Sequence, residues 1–157
     1  MKIKLLAIGK TDDKQLEVLM DVYQKRLKHY IKFELDIIPD LKQRKKLSEA
    51  EQKVKEGELI LQKTKPGDFI VLLDEKGNQF RSIEFSDYIQ KRMNSGIKQL
   101  IFVIGGPYGF SEAVYQSAQG KLSLSKMTFS HQMIRLFIIE QLYRSFTILK
   151  NEPYHHE

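Results

Sequence analysis

Leu100–Tyr143, LIFVIGGPYGFSEAVYQSAQGKLSLSKMTFSHQMIRLFIIEQLY, holds two short apolar runs, each ending in a loop of small residues, followed by one long helical stretch. Gln99–Ile104 is rich in β-branched residues, long enough for a strand and too short for a helix, and such a run suits a strand buried on both faces. Gly105-Gly106-Pro107-Tyr108-Gly109 stops it abruptly. Adjacent glycines let the backbone approach a ligand closely, Pro107 stiffens the turn, Gly109 can supply a positive φ, and Ser111 is placed to cap a short helix. The loop is therefore suited to holding something at the C-terminal edge of a strand. Leu122-Ser123-Leu124 alternates as a second short strand, and Ser125–His131 leads into a helix over 133–149. The Ser and Thr of that segment can cap the helix or bind a ligand. The helix is apolar on nearly every side, interrupted by Arg135, Glu140, Gln141, Arg144 and Ser145. A surface helix carries one apolar stripe. This one needs cover on two faces, and a homodimer interface is expected to supply the second.

Upstream, Lys2–Ile8 reads as a first strand closed by Gly9. Thr11 or Asp12 can cap a helix with Leu16, Leu19, Met20, Tyr23 and Leu27 at helical spacing, and its last turn is basic, as the negative end of a helix favours. Phe33–Ile38 alternates as a second strand ended by Pro39. The loop after it, DLKQRKK, is either a basic finger for phosphates or a solvated connection. Ser48 with Glu51 makes a capping box for a helix reaching about Thr64, with Val54, Leu59 and Ile60 toward the core. Phe69–Leu73 is a third apolar strand with a loop over 74–78, and Ser82 is expected to cap a helix running to about Met93. Alternation of strands and helices predicts an α/β fold with a mostly parallel sheet flanked by helices. Ligands in such sheets sit beyond the carboxyl ends of strands, where three loops qualify: 73–77, 105–109 and 124–129.

At 157 residues with a net charge of +6 and no cysteine, the chain can bury a core unaided, and disulfides, thiolate catalysis and cysteine-held metals are excluded. Residues 1–46 hold 12 Lys and Arg against 7 Asp and Glu, the rest 14 against 13. That asymmetry suits a polyanion approaching from one side, or simply a charged surface. No run is long enough for a signal peptide's core or a membrane span, so a soluble, cytoplasmic protein without membrane contact is expected. Neither G-x-G-x-x-G after the first strand nor a G-K-[ST] phosphate loop is present, which argues against a common dinucleotide or nucleotide fold.

The loop IGGPYG, the segment LSLSKMTFSHQMIRLFIIEQLYRSF and the tail NEPYHHE resemble the bacterial large-subunit rRNA pseudouridine methyltransferases of the SPOUT superfamily. MKIKLLAIGK and DEKG extend the likeness over the whole chain. Ser130 departs from it, standing where a proline commonly precedes the histidine. The resemblance implies a single SPOUT-type domain over 1–157 whose C-terminal segment forms a deep trefoil knot. It implies S-adenosylmethionine as cofactor, held by Leu73, Gly105, Leu124, Ser125, Lys126, Met127, Thr128 and Phe129, and no metal. It further implies methylation of N3 of a pseudouridine in 23S rRNA, plausibly on the assembled ribosome, by a homodimer.

N3 carries a proton, so a base or an anion-stabilising group is needed. Of His29, His131, His155 and His156, the resemblance of PYH to the family's tail points to His155 as base or nucleotide-orienting residue and to Tyr154 as a stacking or hydrogen-bonding partner. Arg135, a charge on an otherwise buried helix, is expected to contact RNA or the tail, and Glu140 and Arg144 to pair at i,i+4. His131, at a helix start, is expected to be neutral and either to accept a hydrogen bond or to fix its loop. Lys25, Arg26, Lys28, Lys42, Arg44, Lys45 and Lys46 are candidate phosphate contacts. The rival readings are a non-catalytic ribosome-binding protein of the same fold, and the same chemistry on another nucleotide.

Overall fold

The computed structural model describes residues 1–156. Five strands, β1 (Lys2–Ile8), β2 (Lys32–Ile38), β3 (Phe69–Asn78), β4 (Gln99–Ile104) and β5 (Gly120–Leu122), form one sheet in the order β2-β1-β4-β3-β5. Every pairing is parallel. The connecting helices are α1 (Lys14–Lys28), α2 (Glu49–Gln62, preceded by a 3-10 turn at Arg44–Lys46), α3 (Ser82–Asn94) and α4 (Glu112–Ser117), and α5 (Met133–Leu149) follows β5.

The central strand explains its own sequence. Leu100, Phe102 and Ile104 point into a core shared with α1, α3 and α5, while Ile101 and Val103 point into a second core shared with α2 and α4. Residues 100–103 are all 0 % exposed, so no polar residue alternates along the strand. α5 lies against both α1 and α3. Ile138, Ile139, Leu142 and Phe146 are buried there, whereas Ile134, Leu136, Phe137 and Tyr143 are only half-covered. One protomer therefore covers much of the helix and leaves a partly apolar outer face.

Several local expectations are corrected. Asp13, not Thr11 or Asp12, caps α1, accepting from the Gln15 and Leu16 amides at 2.7 and 3.1 Å, and Leu19 is exposed. The capping box of Ser48 and Glu51 is present, yet α2 turns Gln52, Glu56, Gly57 and Ile60 inward and leaves Val54 52 % exposed. The segment 74–78 is not a loop: β3 continues through it, with a register break against β5 between Leu73 and Asn78. β5 lies two residues earlier than Leu122–Leu124. Ser82 donates to Gln141 Oε1 instead of capping, and Glu84 caps the Arg81 amide.

Candidate active site

Adjacent strands β3 and β4 send the chain to opposite faces, β3 to α3 and β4 to α4. Loops that part in this way leave a crevice beyond the carboxyl edge of a parallel sheet. A cavity of about 450 Å³ occupies it, within the usual range for a small organic ligand. Leu73, Gly105, Leu124, Ser125, Met127, Thr128 and Phe129 all line it, whereas Lys126 does not. Three segments far apart in sequence thus converge on one space. The wall also includes Gly106, Ile104, Ile134 and His131, with Asp74, Glu75 and Tyr115 toward one side.

The third loop is braced by its own hydroxyls. Ser123 Oγ donates to the Ser125 carbonyl at 2.8 Å, and Ser125 Oγ accepts from the Met127 amide at 2.9 Å. Ser125 therefore fixes the turn with its side chain. Met127, 76 % exposed, stands at the mouth, and Phe129 packs on Phe137 with ring centroids 5.0 Å apart. Ser130 accepts the Met133 amide on its Oγ at 3.1 Å and the Ile134 amide on its carbonyl at 3.0 Å. The hydroxyl thereby serves the first turn of α5, where orphan amides need acceptors.

Arg135 is 1 % exposed and wholly occupied. It donates to the Ile8 carbonyl (2.8 Å), to Thr11 Oγ1 (3.1 Å) and to the His131 carbonyl (3.1 Å). Burial lowers its pKa, with Asp12 and Asp40 opposing. Gln132 adds a reciprocal pair, donating to the Lys10 carbonyl at 3.1 Å and accepting from the Asp12 amide at 2.9 Å. These bonds fasten the start of α5 to the loop after β1; Arg135 meets neither the tail nor open surface. His131 borders the cavity, and its pKa is lowered by burial and by Arg135, against a hydrogen bond with the Gly105 backbone. The helix dipole predicts the same neutrality, but the causes here are desolvation and a neighbouring cation.

Tyr154 and His155 lie elsewhere. The tail folds back on α5, where Tyr154 donates to Glu140 Oε1 at 2.9 Å and its ring meets Tyr143 edge-on at 4.7 Å. Arg144 donates to the same oxygen at 2.6 Å, lies 4.7 Å over the Tyr154 ring, and sits 3.2 Å from His155 Nδ1. The expected Glu140–Arg144 pair is therefore present, as the hub of a larger cluster. Burial opposes the Arg144 charge, but Glu140 outweighs it and raises the pKa; burial together with Tyr23 and Glu140 raises that of Tyr154 as well. An arginine has only donors, so His155 Nδ1 stands as the acceptor of this contact. Ile134 and Arg144 stand about 15 Å apart along the helix, which separates this cluster from the cavity of the same chain.

The candidate cations divide likewise. α1 runs from the carboxyl edge of β1 to the opposite edge of the sheet, so Lys25, Arg26 and Lys28 accompany the tail, with Arg26 5.8 Å from the Tyr143 ring. Lys42, Arg44, Lys45 and Lys46 follow β2 at the carboxyl edge of the sheet, the edge that also holds the cavity. Asp74 and Gly106 fall within the strand-end loops 73–77 and 105–109 that the sequence singled out, though neither is among the named cofactor residues. Sequence reasoning missed Tyr115 and Ile134, which depend on which segments meet at the strand ends.

A parallel sheet with a glycine-backed cavity of mixed apolar and polar lining at its carboxyl edge defines an α/β protein with room there for a small organic ligand. The chain matches over residues 1–155 the family model described as "Predicted SPOUT methyltransferase", and it belongs to the SPOUT methyltransferase family. A protein of Christiangramia forsetii named ribosomal RNA large subunit methyltransferase H is 70 % identical over 156 residues, 99 % of each chain. Proteins of the same name from Flavobacterium johnsoniae and Parabacteroides distasonis are 67 % and 62 % identical over the full length of both chains.

Proposed function

We propose that the protein is an S-adenosylmethionine-dependent methyltransferase that modifies N3 of a pseudouridine in 23S rRNA, on the assembled ribosome, as a homodimer in the cytoplasm. The observation that carries the reading is the cavity: its volume, the apolar side chains Leu73, Leu124 and Met127 and its glycine backing suit the adenosine of that cofactor, and Asp74 and Glu75 suit a cationic sulfonium. The full-length relatives named as large-subunit rRNA methyltransferases support the substrate.

Leu73, Leu124 and Met127 would enclose the adenine ring, and the backbone at Gly105 and 124–129 would read its edge. S-adenosylmethionine supplies an electrophilic methyl group when bound. Lys126 lies outside the cavity wall and is assigned to its rim. Arg135 is a positioning residue, holding the start of α5 and hence Ile134 and His131. A single domain over 1–157 with a deep trefoil knot belongs to the same proposal. It is supported by the docking of α5 on the loop after β1, which obliges the chain leaving β5 to cross over the ends of β3 and β4.

The cluster of Arg144, Tyr154 and His155 is proposed to meet the target nucleotide. Because it lies about 15 Å along α5 from its own cavity, the two parts combine when the half-covered faces of two antiparallel α5 helices pair, each tail reaching the other protomer's cavity. His155 orients the uracil and, with Arg144, stabilises the ring anion as the N3 proton passes to solvent. Holding nucleophile and methyl donor in line is the larger contribution. The test is transfer of labelled methyl groups to ribosomes and to naked rRNA lacking the modification, with mapping of the product. Labelling of ribosomes at one pseudouridine is expected; cofactor binding with no labelling of either would refute the substrate.

A further inference from the structure

Helix α2 brings an unusual pair of residues against the Gly105–Gly109 turn. Glu56 is 3 % exposed, and its Oε1 accepts from Gln52 Nε2 at 2.9 Å, itself on a residue 4 % exposed. Oε2 is buried and has no hydrogen-bond partner. It lies where only glycine leaves space: a Cβ on Gly106 would stand 2.1 Å from Oε2 and 2.7 Å from the carboxyl carbon. One residue on, a Cβ at Gly57 would stand 2.3 Å from Ser111 Oγ, the cap of α4. The Glu56-Gly57 step therefore clasps both ends of the segment that forms one cavity wall. A carboxyl oxygen left unpaired in a dry interior is costly, and an apolar side chain would fill the same space without that cost.

We infer that Glu56 is a positioning residue for the cofactor loop, its Oε2 being the acceptor reserved for a backbone N–H of the Gly105–Gly109 turn when the turn closes on a ligand. Pro107 has no such donor and the Gly109 amide already bonds to the Gly106 carbonyl at 3.2 Å, which leaves the amides of Gly105, Gly106 and Tyr108, with Gly106 packed directly on the carboxyl. In the free protein burial raises the Glu56 pKa; of the charged groups from the loop after β2, Asp40 reinforces that and Arg44 opposes it, while Gln52 within α2 also opposes it. The turn's own titratable side chain, Tyr108, points to solvent. Burial therefore favours the neutral acid in the free protein and a backbone N–H on Oε2 favours the carboxylate, so ligand binding shifts Glu56 toward releasing a proton to water. This inference rests on the reading of the cavity as a cofactor site.

The test is calorimetric titration of the full-length protein with S-adenosylhomocysteine between pH 5.5 and 8.5, in buffers of different ionisation enthalpy. The wild type is expected to bind more tightly as pH rises, up to about tenfold per pH unit while one proton is released. Glu56→Gln is expected to lose that proton release and to bind about tenfold more weakly at pH 8.5, the loss of one charge-assisted hydrogen bond. His131 is retained in both proteins, so the difference between them belongs to Glu56. Glu56→Leu is expected to unfold no earlier than wild type and yet bind as weakly as Glu56→Gln, a combination that a packing role would not produce. Wild-type affinity and proton release in Glu56→Gln would overturn the inference alone. No binding of S-adenosylhomocysteine by the wild type would overturn the cofactor reading and this inference together.

Discussion

The two ends of α5 are built from different materials. At its start, polar groups are consumed: Arg135, Gln132, Ser130 and Ser125 all hold backbone, and Leu73, Leu124, Met127, Phe129 and Ile134 face the cavity. At its end, Glu140, Arg144, Tyr154 and His155 gather polar and aromatic groups on a partly exposed surface. The first arrangement suits a ligand held by shape, and the second has charge and hydrogen bonds to offer. In the proposed reading the cofactor end and the nucleotide end are thus separated by about three turns of one helix.

The largest effect should come from Arg135→Ala. It strips a donor from the buried Ile8 carbonyl and empties a fully packed site, so unfolding in urea should show a loss of about 3 kcal/mol, with the thermal midpoint lower by roughly 10 °C. Stability within experimental error of wild type would mean that the start of α5 is not fastened by this residue. Replacing Arg144 or His155 by Ala should separate the two ends most clearly. Methyl transfer should fall about 100-fold while the affinity for S-adenosylhomocysteine stays within about twofold, and a parallel drop in affinity would merge the two regions into one site. Leu124→Ala gives the mirror result: cofactor affinity about tenfold weaker because less apolar surface covers the adenine, with turnover at saturating cofactor little changed.

Smaller effects probe the charges. Changing Lys42, Lys45 and Lys46 together to Ala should weaken ribosome binding and flatten its dependence on salt, by roughly one unit of log–log slope for each phosphate no longer neutralised; an unaltered slope would place the RNA elsewhere. The smallest is a pH effect. The folded pKa of His131 is lowered below its unfolded value by burial and by Arg135, so between the two values the unfolded chain binds more protons. Stability should therefore decline as pH falls from about 6.5, and His131→Gln should remove that decline in a series of thermal melts.

Much of this was legible in the chain. The runs Gln99–Ile104 and Met133–Leu149 define their elements to the residue, because an unbroken β-branched run and a long apolar helix admit few alternatives. The glycine turn and the loop 124–129 stand out as strand-end loops, and all but Lys126 of the expected cofactor residues meet in one cavity. α2 departs from its expected orientation for a physical reason. Its apolar residues suggest Val54 inward, but the face that docks on the glycine turn needs Gly57 for close approach and accepts Glu56 and Gln52 beside it. Polar residues on a buried face leave no periodic signature, so neither they nor the inference built on Glu56 can be read from hydrophobic spacing.

Local chemistry settled β1, β2 and β4, the caps at Ser48 and Ser111, the α/β alternation and the small-residue loops, since each depends on residues within a few positions of one another. Tertiary structure alone decided the strand order that opens a crevice between β3 and β4, the use of Arg135 to tie α5 to β1, and the placement of Tyr154 and His155 far from the cavity of their own chain. Those outcomes depend on which distant segments share the carboxyl edge of the sheet and on which end of α5 each side chain meets. The tie between Arg135 and Ile8 joins residues more than a hundred positions apart, where neither periodicity nor capping carries information.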